Sequence, residues 1–354
     1  MAIETKEEGK AKSGTPTILG AIKRYSFVLV FLAIFVVYAV VSGGLTVGAT
    51  MNIFRHSAVI GIIAVGMGLI CLTGDIDLSV GSMLAFVAGF SVVVFNQTQG
   101  SIPLTLLFAL CLGALCGLLN GVLVGVVEMP SFIVTLATML IFRSLSQYEC
   151  QHLPSELIGN GSSVYRMSSS LPSYQAIYQF GNGRLPGGMP IVGLILLLVI
   201  VAFVYLLTST KFGKKVYAVG SNARAARLAG ISVPLMRTLV FVIAGALIGL
   251  AAFLWIAMNA SSDPATTGKS YEMYAIAAVV LGGISMSGGR GKLLGVLFGA
   301  MSYTVIDKVI IALKMDSLIN DTIKGVILIL VILIQIMGPK LKDRFGKSKA
   351  GASE

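Results

Sequence analysis

Charged residues are scarce in this chain. Asp, Glu, Lys and Arg make up 12% of its 354 residues, whereas soluble domains carry about 25%. Hydrophobic residues make up 56%, and the mean hydropathy is +0.92. This shortage of charge excludes an ordinary soluble domain. Because long apolar runs recur, the chain is predicted to be an all-α polytopic membrane protein rather than a barrel of short alternating strands.

Histidine and cysteine are also rare. His56 and His152 are the only histidines, and the four cysteines include no metal-type Cys-x-x-Cys pair. No metal site and no Ser-His-Asp group can be argued from these residues. We expect the cysteines to be inert thiols.

A phosphate-binding loop of the Gly-x-x-x-x-Gly-Lys-Ser/Thr type is missing. Gly268-Lys269-Ser270 and Gly346-Lys347-Ser348 lack the upstream glycine that such a loop requires. Ser287–Gly291 superficially resembles an ATPase signature loop, but a tight turn explains its glycines. The sequence therefore predicts that this chain is not an enzyme, does not hydrolyse ATP and needs no cofactor of its own.

Apolar runs of about 20 residues can cross a bilayer as helices. On that measure the chain has about ten spans, and the first of them is read as a retained helix rather than a cleaved signal. The predicted spans are 26–42, 54–72, 79–96, 103–126, 131–147, 190–208, 236–258, 273–287, 291–313 and 320–337.

The net charge of +11 is unevenly distributed. The predicted tail 1–25, the segment 209–235 and the tail 338–354 each hold five Lys or Arg. Basic residues gathered in alternate loops indicate the cytoplasmic side of a membrane and not nucleic-acid binding. Residues 26–337 are thus the membrane domain, with both termini in the cytoplasm and 148–189 as an outer loop. The prolines of that loop disfavour a further helix there.

Two carboxylates interrupt the apolar sequence at residues 73–79. Asp75 and Asp77 lie between two runs that each look able to enter the bilayer, where an unpaired acid is costly. Gly74–Gly81 can be aligned with Gly282–Gly289, another interruption, as an internal repeat with broken helices. Chance matching in a glycine-rich chain is the alternative. If the chain has ten spans, both breaks lie on the same side of the membrane, which predicts a parallel repeat. An inverted repeat would require an odd number of spans between the breaks.

The segment 209–235 contains a predicted short helix at 223–229. Ser221 or Asn222 can cap its start, and Gly230 is a natural stop. Leu228 and the alanines are expected to form one apolar face, with Arg224 and Arg227 beside it. Such a helix either docks on a partner protein or lies on lipid headgroups.

Few ionisable residues fall inside the predicted spans: Asp307, Lys308, Arg143 and Lys324. Asp307 and Lys324 can pair, but extension of each to the membrane surface is the preferred interpretation. The shortage of buried acids argues against a proton- or ion-coupled carrier.

Three ordered motifs give the chain a resemblance to a known family. They are Thr73-Gly-Asp-Ile-Asp-Leu-Ser79, the stretch Phe212 to Ile231, and Tyr271-Glu272-Met273 with the following Gly282-Gly283 and Ser287-Gly-Gly289. Together they resemble permease subunits of bacterial ABC importers for monosaccharides of the ribose and galactose type. Asp75 and Tyr274 depart from the family pattern, which more often has a glycine and an acidic residue there.

The resemblance implies several partners for this chain. They are an ABC ATPase subunit that holds ATP and Mg²⁺, a soluble sugar-binding protein, a second permease copy (most simply as a homodimer) and membrane lipid. The expected location is the bacterial inner membrane, and the expected substrate is a monosaccharide. Another solute of ABC permeases, such as a branched-chain amino acid, a nucleoside or an autoinducer-like sugar, is the alternative.

The resemblance also assigns residues to roles. Those expected to couple to the ATPase are Asn222, Ala225, Arg227, Leu228 and Gly230. Those expected to shape the broken helices and gate the path are Thr73, Gly74, Asp75, Asp77, Ser79, Gly282, Gly283 and Ser285. Glu272 is expected on the outer side. Because Asp75 is atypical, Asp75→Gly is predicted to be tolerated.

Overall fold

The computed structural model describes residues 26–159, 163–315, 319, 322–326, 329–330 and 333. Helices dominate this part of the chain, and two short strands pair with each other. The helices are α1 (Ser26–Val41), α2 (Val47–Leu72), α3 (Val80–Gln97), α4 (Ile102–Gly125), α5 (Ser131–His152), α6 (Tyr174–Asn182), α7 (Ile191–Ser209), α8 (Lys211–Ser221), α9 (Ala223–Leu228), α10 (Val233–Asn259), α11 (Tyr271–Leu281) and α12 (Leu294–Ala312), and the strands are β1 (Tyr165–Arg166) and β2 (Ser261–Ser262).

Six described helices are long and apolar enough to cross a membrane: α2, α3, α4, α7, α10 and α12. The chain is therefore built around multiple membrane helices, as predicted, while the count of about ten spans stays a prediction. α1 has 16 residues and α11 has 11. At 1.5 Å per residue α11 is about 16 Å long, roughly half the thickness of the hydrocarbon core. Residues 322–326, within the last predicted span, are helical.

Helix α2 lies at the centre of the bundle. Every residue from Ser57 to Leu72 is buried, which explains why its sequence is apolar all round rather than on one face. The Thr46 hydroxyl accepts a hydrogen bond from Ala49 N at 3.1 Å and caps the start of the helix. Around α2 pack α7, α10, α11 and α12.

Helices α4 and α10 cross at very short range. Where Gly113 and Gly117 of α4 meet Gly245 of α10, an added Cβ atom would collide with the backbone of the opposite helix. Small residues allow such close approach, and van der Waals packing then holds membrane helices together where the hydrophobic effect does not. The tightly packed helices α4 and α10 lie beside the broken segment 73–79 and contact it through Asn120 and Arg237.

The predicted outer loop 148–189 is more ordered than its composition indicates. It contains β1 and α6, and α5 extends to His152, so the prediction of no helix here is wrong. β1 pairs with β2, and the buried Tyr165 donates its phenol proton to Ser146 O at 2.8 Å. Proline and glycine mark turns from local sequence. They carry no information about these long-range contacts.

Two ends of the bundle can be distinguished. The coupling end carries α8, α9 and the first turn of α10, where Gly125 of α4 packs on Pro234. The loop end carries α6 and the strands, and there Arg55 near the start of α2 hydrogen-bonds Asn182.

Candidate functional site

The two broken segments meet at the coupling end. Gly289 N donates a hydrogen bond to the Leu72 carbonyl at 3.0 Å, and an added Cβ on Gly288 would lie 3.0 Å from the Cα of Gly74. Gly74 has a φ of 86° and Gly288 of 83°, a region that favours glycine. The breaks thus lie at the same end, as the predicted topology requires, while the internal repeat itself stays a prediction.

A tight turn forms the second break. Gly282 packs so closely on Gly295 that no side chain fits there, and Gly283 has a φ of 80°. Ser285 N donates to Arg290 O at 2.9 Å, and the Ser285 hydroxyl accepts from Ser287 N at 3.2 Å. This turn reverses the chain between α11 and α12 and presents Gly288 and Gly289 to the first break.

Helix α8 is fixed to both breaks. Gly220 packs directly against the Leu72 carbonyl, and the Tyr217 hydroxyl donates to Gly291 O at 2.9 Å. Burial raises the pKa of the Tyr217 phenol, so the phenol stays a neutral donor. Helix α8 therefore contacts the end of α2 and the turn between α11 and α12. No local sequence pattern indicates the Tyr217 contact, which joins residues 74 positions apart.

Asp75 forms an ion pair with Arg237 of α10. Arg237 Nε lies 3.2 Å from Asp75 Oδ2 without a well-aimed hydrogen bond, and the Asp75 side chain is 7% exposed. The Thr73 hydroxyl, which donates to Ile70 O at 2.7 Å, lies 3.2 Å from the same oxygen. The tolerance of Asp75→Gly stays a prediction, and the ion pair argues against it, because that change leaves the partly buried Arg237 without its counter-charge.

Asp77 organises the start of α3. Its Oδ1 accepts hydrogen bonds from Ser79 N at 2.8 Å and from the Ser79 hydroxyl at 2.6 Å. Asn120 of α4 donates to the Ser79 oxygen at 3.0 Å. All three side chains are buried. Asn120 was missed from the sequence, although a polar residue within an apolar span is itself a signal.

Helix α9 begins as predicted and ends at Leu228, one residue earlier than predicted. Asn222 caps it by accepting from Ala225 N at 3.0 Å, and Gly230 has a φ of 78° just beyond its end. Arg227 pairs with Glu128 of the α4–α5 turn at 3.0 Å. The expected single apolar face is wrong: Ala226 is buried against the bundle, whereas Leu228 is 91% exposed. Leu228 is thus the apolar tip of a helix that the bundle leaves uncovered.

Glu272 lies in the first turn of α11, next to the start of α3 that follows the first break. There the start of α3 crosses the turn before α11, and Gly81 packs against Gly268 and Glu272. Arg143 of α5 donates to the carbonyls of Pro264 at 2.8 Å and Thr267 at 2.7 Å. These contacts hold α3, α5 and α11 around a cavity of about 250 Å³ that Arg143 and Glu272 both line.

The buried Lys324 pairs with the half-buried Asp307 near the loop end. Lys324 Nζ lies 2.5 Å from Asp307 Oδ1, and the lysine side chain is 6% exposed. The ammonium also lies 4.5 Å from the ring centre of Tyr274 and 4.8 Å from that of Tyr303. The preferred interpretation, extension of both charges to the membrane surface, is therefore wrong. Asp75 and Tyr274, the two departures from the family pattern, each have a separate partner.

Comparison with known proteins matches residues 49–334 to the family model described as "Branched-chain amino acid transport system / permease component". The "Ribose import permease protein" of Escherichia coli (strain K12) is 34% identical, over 86% of this chain and 91% of that protein. The "Autoinducer 2 import system permease protein" of Enterobacter sp. (strain 638) is 36% identical, over 80% and 77%.

A third relative is the "Xylose transport system permease protein" of Escherichia coli (strain K12), 31% identical over 79% of this chain and 83% of that protein. No solved structure matches the chain. The family model covers all three motifs singled out in the sequence, including both breaks and the segment with α8 and α9. The chain therefore belongs to the family of branched-chain amino acid transport system permease components, the multi-pass membrane subunits of ABC importers.

Proposed function

We propose that this chain is the membrane-spanning permease subunit of an ATP-driven importer that passes a monosaccharide into the cytoplasm. The observation that carries the proposal is the likeness over most of the chain to permeases named for ribose, xylose and autoinducer 2 import. ATP and Mg²⁺ belong to a separate ATPase, and a soluble sugar-binding protein delivers the substrate. A second copy of this chain completes the membrane unit in the bacterial inner membrane.

The contacts of the coupling end support a role in transmitting force. Leu228 at the end of α9 projects from the bundle, where an ATPase can bind it. α9 follows α8 directly, and α8 contacts both breaks through Gly220 and Tyr217. A movement imposed on α9 thus reaches the ends of α2 and α11 through one rigid helix. Coupling of this kind needs an element that can adopt two conformations. We assign that role to the non-helical breaks.

The broken segment 73–79 need not supply a charge to the substrate. The ring hydroxyls of a monosaccharide are neutral, so serine, threonine, asparagine and tyrosine side chains suffice to bind them weakly. Thr73, Asp75, Asp77 and Ser79 are engaged with one another and with Arg237 or Asn120. We therefore assign these residues to the shape of the broken helix and to gating, and not to direct contact with sugar.

Assembly and solute choice test this proposal together. The full chain is coexpressed with the ATPase and the soluble binding protein encoded beside it, and the purified complex is reconstituted in vesicles. We expect the ATPase to copurify with the permease and the vesicles to take up ribose or xylose. Uptake of leucine and not of any sugar would assign the chain to the amino acid permeases after which its family is named.

A further inference from the structure

We propose that a cavity near the loop end binds the carboxylate of an acidic monosaccharide, with Lys308 as its counter-charge. This inference rests on the proposed function and names the class of sugar. The cavity has a volume of about 410 Å³ and lies between α2, α11, α12 and residue 324. That volume falls within the range of small-molecule sites, roughly 300–1,000 Å³.

The charges that line the cavity are unequal. Among the described residues that line it, Lys308 and Lys324 face the cavity together with one acid, Asp307. Asp307 is already engaged by Lys324 at 2.5 Å, and the same ammonium lies over the rings of Tyr274 and Tyr303. In the described part of the chain, no carboxylate oxygen lies within 4.0 Å of the half-buried Lys308 ammonium.

A half-buried ammonium whose neighbouring acid, Asp307, is already bound by Lys324 favours an anionic ligand over a neutral one. A charge-assisted hydrogen bond to a carboxylate is stronger than one between neutral groups. Arg55, directly before the cavity-lining His56 on α2, adds positive potential at the same end. Lys308 is therefore the group that recognises the carboxylate.

The remaining walls suit a sugar ring. Tyr271 and Tyr274 lie with ring centres 5.7 Å apart and their planes tilted by 43°, which presents aromatic surface next to polar groups. The exposed imidazole of His56 also lines the cavity and can exchange hydrogen bonds with hydroxyls. Apolar faces combined with a few placed polar groups are what a small polyhydroxylated ligand needs.

The position of the cavity fits an entry site. Tyr274, Tyr303 and Lys324 also line a second cavity, of about 130 Å³, which runs along α11 past Ser270 and Ala277. Lys324 thus lines both cavities. A sugar held at Lys308 lies at the loop end, next to Lys324, before it moves along α11.

Binding to the full chain tests the proposal without any variant. The chain is placed in nanodiscs of phosphatidylcholine and titrated with galacturonate and with galactose by calorimetry. A charge-assisted hydrogen bond predicts that galacturonate binds about tenfold more tightly or better. Equal binding of the two sugars, or binding of neither, overturns the proposal.

Variants then locate the carboxylate. Lys308→Gln is expected to abolish the preference for galacturonate, and Lys308→Arg to keep it. Lys314→Gln, which removes an exposed lysine outside the cavity, is the matched control and should bind as the unchanged chain does. A preference that survives Lys308→Gln overturns the role of Lys308.

Lipid headgroups are a second source of anions at this depth. In nanodiscs that contain phosphatidylglycerol, galacturonate is expected to bind as before. Displacement by the anionic lipid would assign the cavity to a headgroup and overturn the proposal. A negative result in these binding experiments leaves the proposed function intact, because ATP-driven uptake of a neutral sugar would still show that the chain is an importer permease.

Discussion

At the scale of single residues, the polar groups of the bundle occur in defined partnerships. Asp75 pairs with Arg237, Asp307 with Lys324, and Asp77 with the Ser79 and Asn120 side chains. A charge in an apolar bundle is stable only when it is paired and hydrogen-bonded. These acids therefore hold helices together, and none of them need be a proton carrier.

The Asp75–Arg237 pair leads to a prediction about stability. Replacing Asp75 by Asn removes one charge and leaves the Arg237 guanidinium, 27% exposed, next to an uncharged amide. We expect the purified chain to lose roughly 1–3 kcal/mol of stability. Thermal unfolding in detergent measures the loss as a lower transition temperature.

The double variant Asp75→Asn, Arg237→Gln provides the control. Because it leaves no buried charge unpaired, it should recover most of the lost stability. Additive losses in the double variant would show that the two side chains do not interact.

At the scale of elements, α9 is the part most exposed to a partner. Leu228→Glu places a carboxylate on the uncovered tip of the helix, and the side chain is 91% exposed in the chain alone. We expect membrane insertion and folding to be unaffected, while the ATPase binds weakly and transport falls about tenfold or more, as when charge enters an apolar contact. Copurification of the ATPase and uptake by vesicles measure the two effects.

Leu313→Glu is the matched control for this change. It adds the same charge at a 52% exposed leucine just after α12, far from α9 in the bundle. ATPase binding should be normal. Gly230→Glu is less informative, since the φ of 78° at Gly230 strains any side chain there. Normal assembly and transport with Leu228→Glu would refute the docking role of α9.

Elements with a strong local signal could be predicted from the sequence, and others could not. The long apolar helices and the cap at Asn222 follow from hydropathy and from side-chain chemistry next to a helix start. Helix α6 could not be predicted, since its Gly181 packs on Ala257 and its order comes from that distant contact. Arg237 was missed for the same reason: nothing in the sequence connects it to Asp75.

The breaks illustrate the same limit. Glycines and acids between apolar runs indicated where helices α2 and α11 end. The contact of Gly289 with Leu72, and of Tyr217 with Gly291, depends on how three distant segments pack. The local sequence pattern thus located the two helix breaks. Their contacts with α8 became evident only in the tertiary structure.

At the scale of the whole molecule, the fold has two functional ends separated by the membrane helices. The proposed topology requires α9 on the cytoplasmic face and the loop segment with α6 on the outer face. Single cysteines at Arg224→Cys and Ser170→Cys, both at exposed positions, test this in a chain whose exposed Cys111 is replaced by serine. A membrane-impermeant maleimide added to whole cells should label residue 170 and not residue 224, and the reverse pattern would invert the topology.

The energy source of transport tests the central claim most directly. The permease, its ATPase and its binding protein are reconstituted in vesicles, and uptake of labelled sugar is measured with ATP, without ATP, and with only an ion gradient. We expect uptake that requires ATP and stops when the phosphate-loop lysine of the ATPase is replaced. Sugar uptake by this chain alone, driven by an ion gradient without the ATPase, would contradict the assignment as an ABC permease.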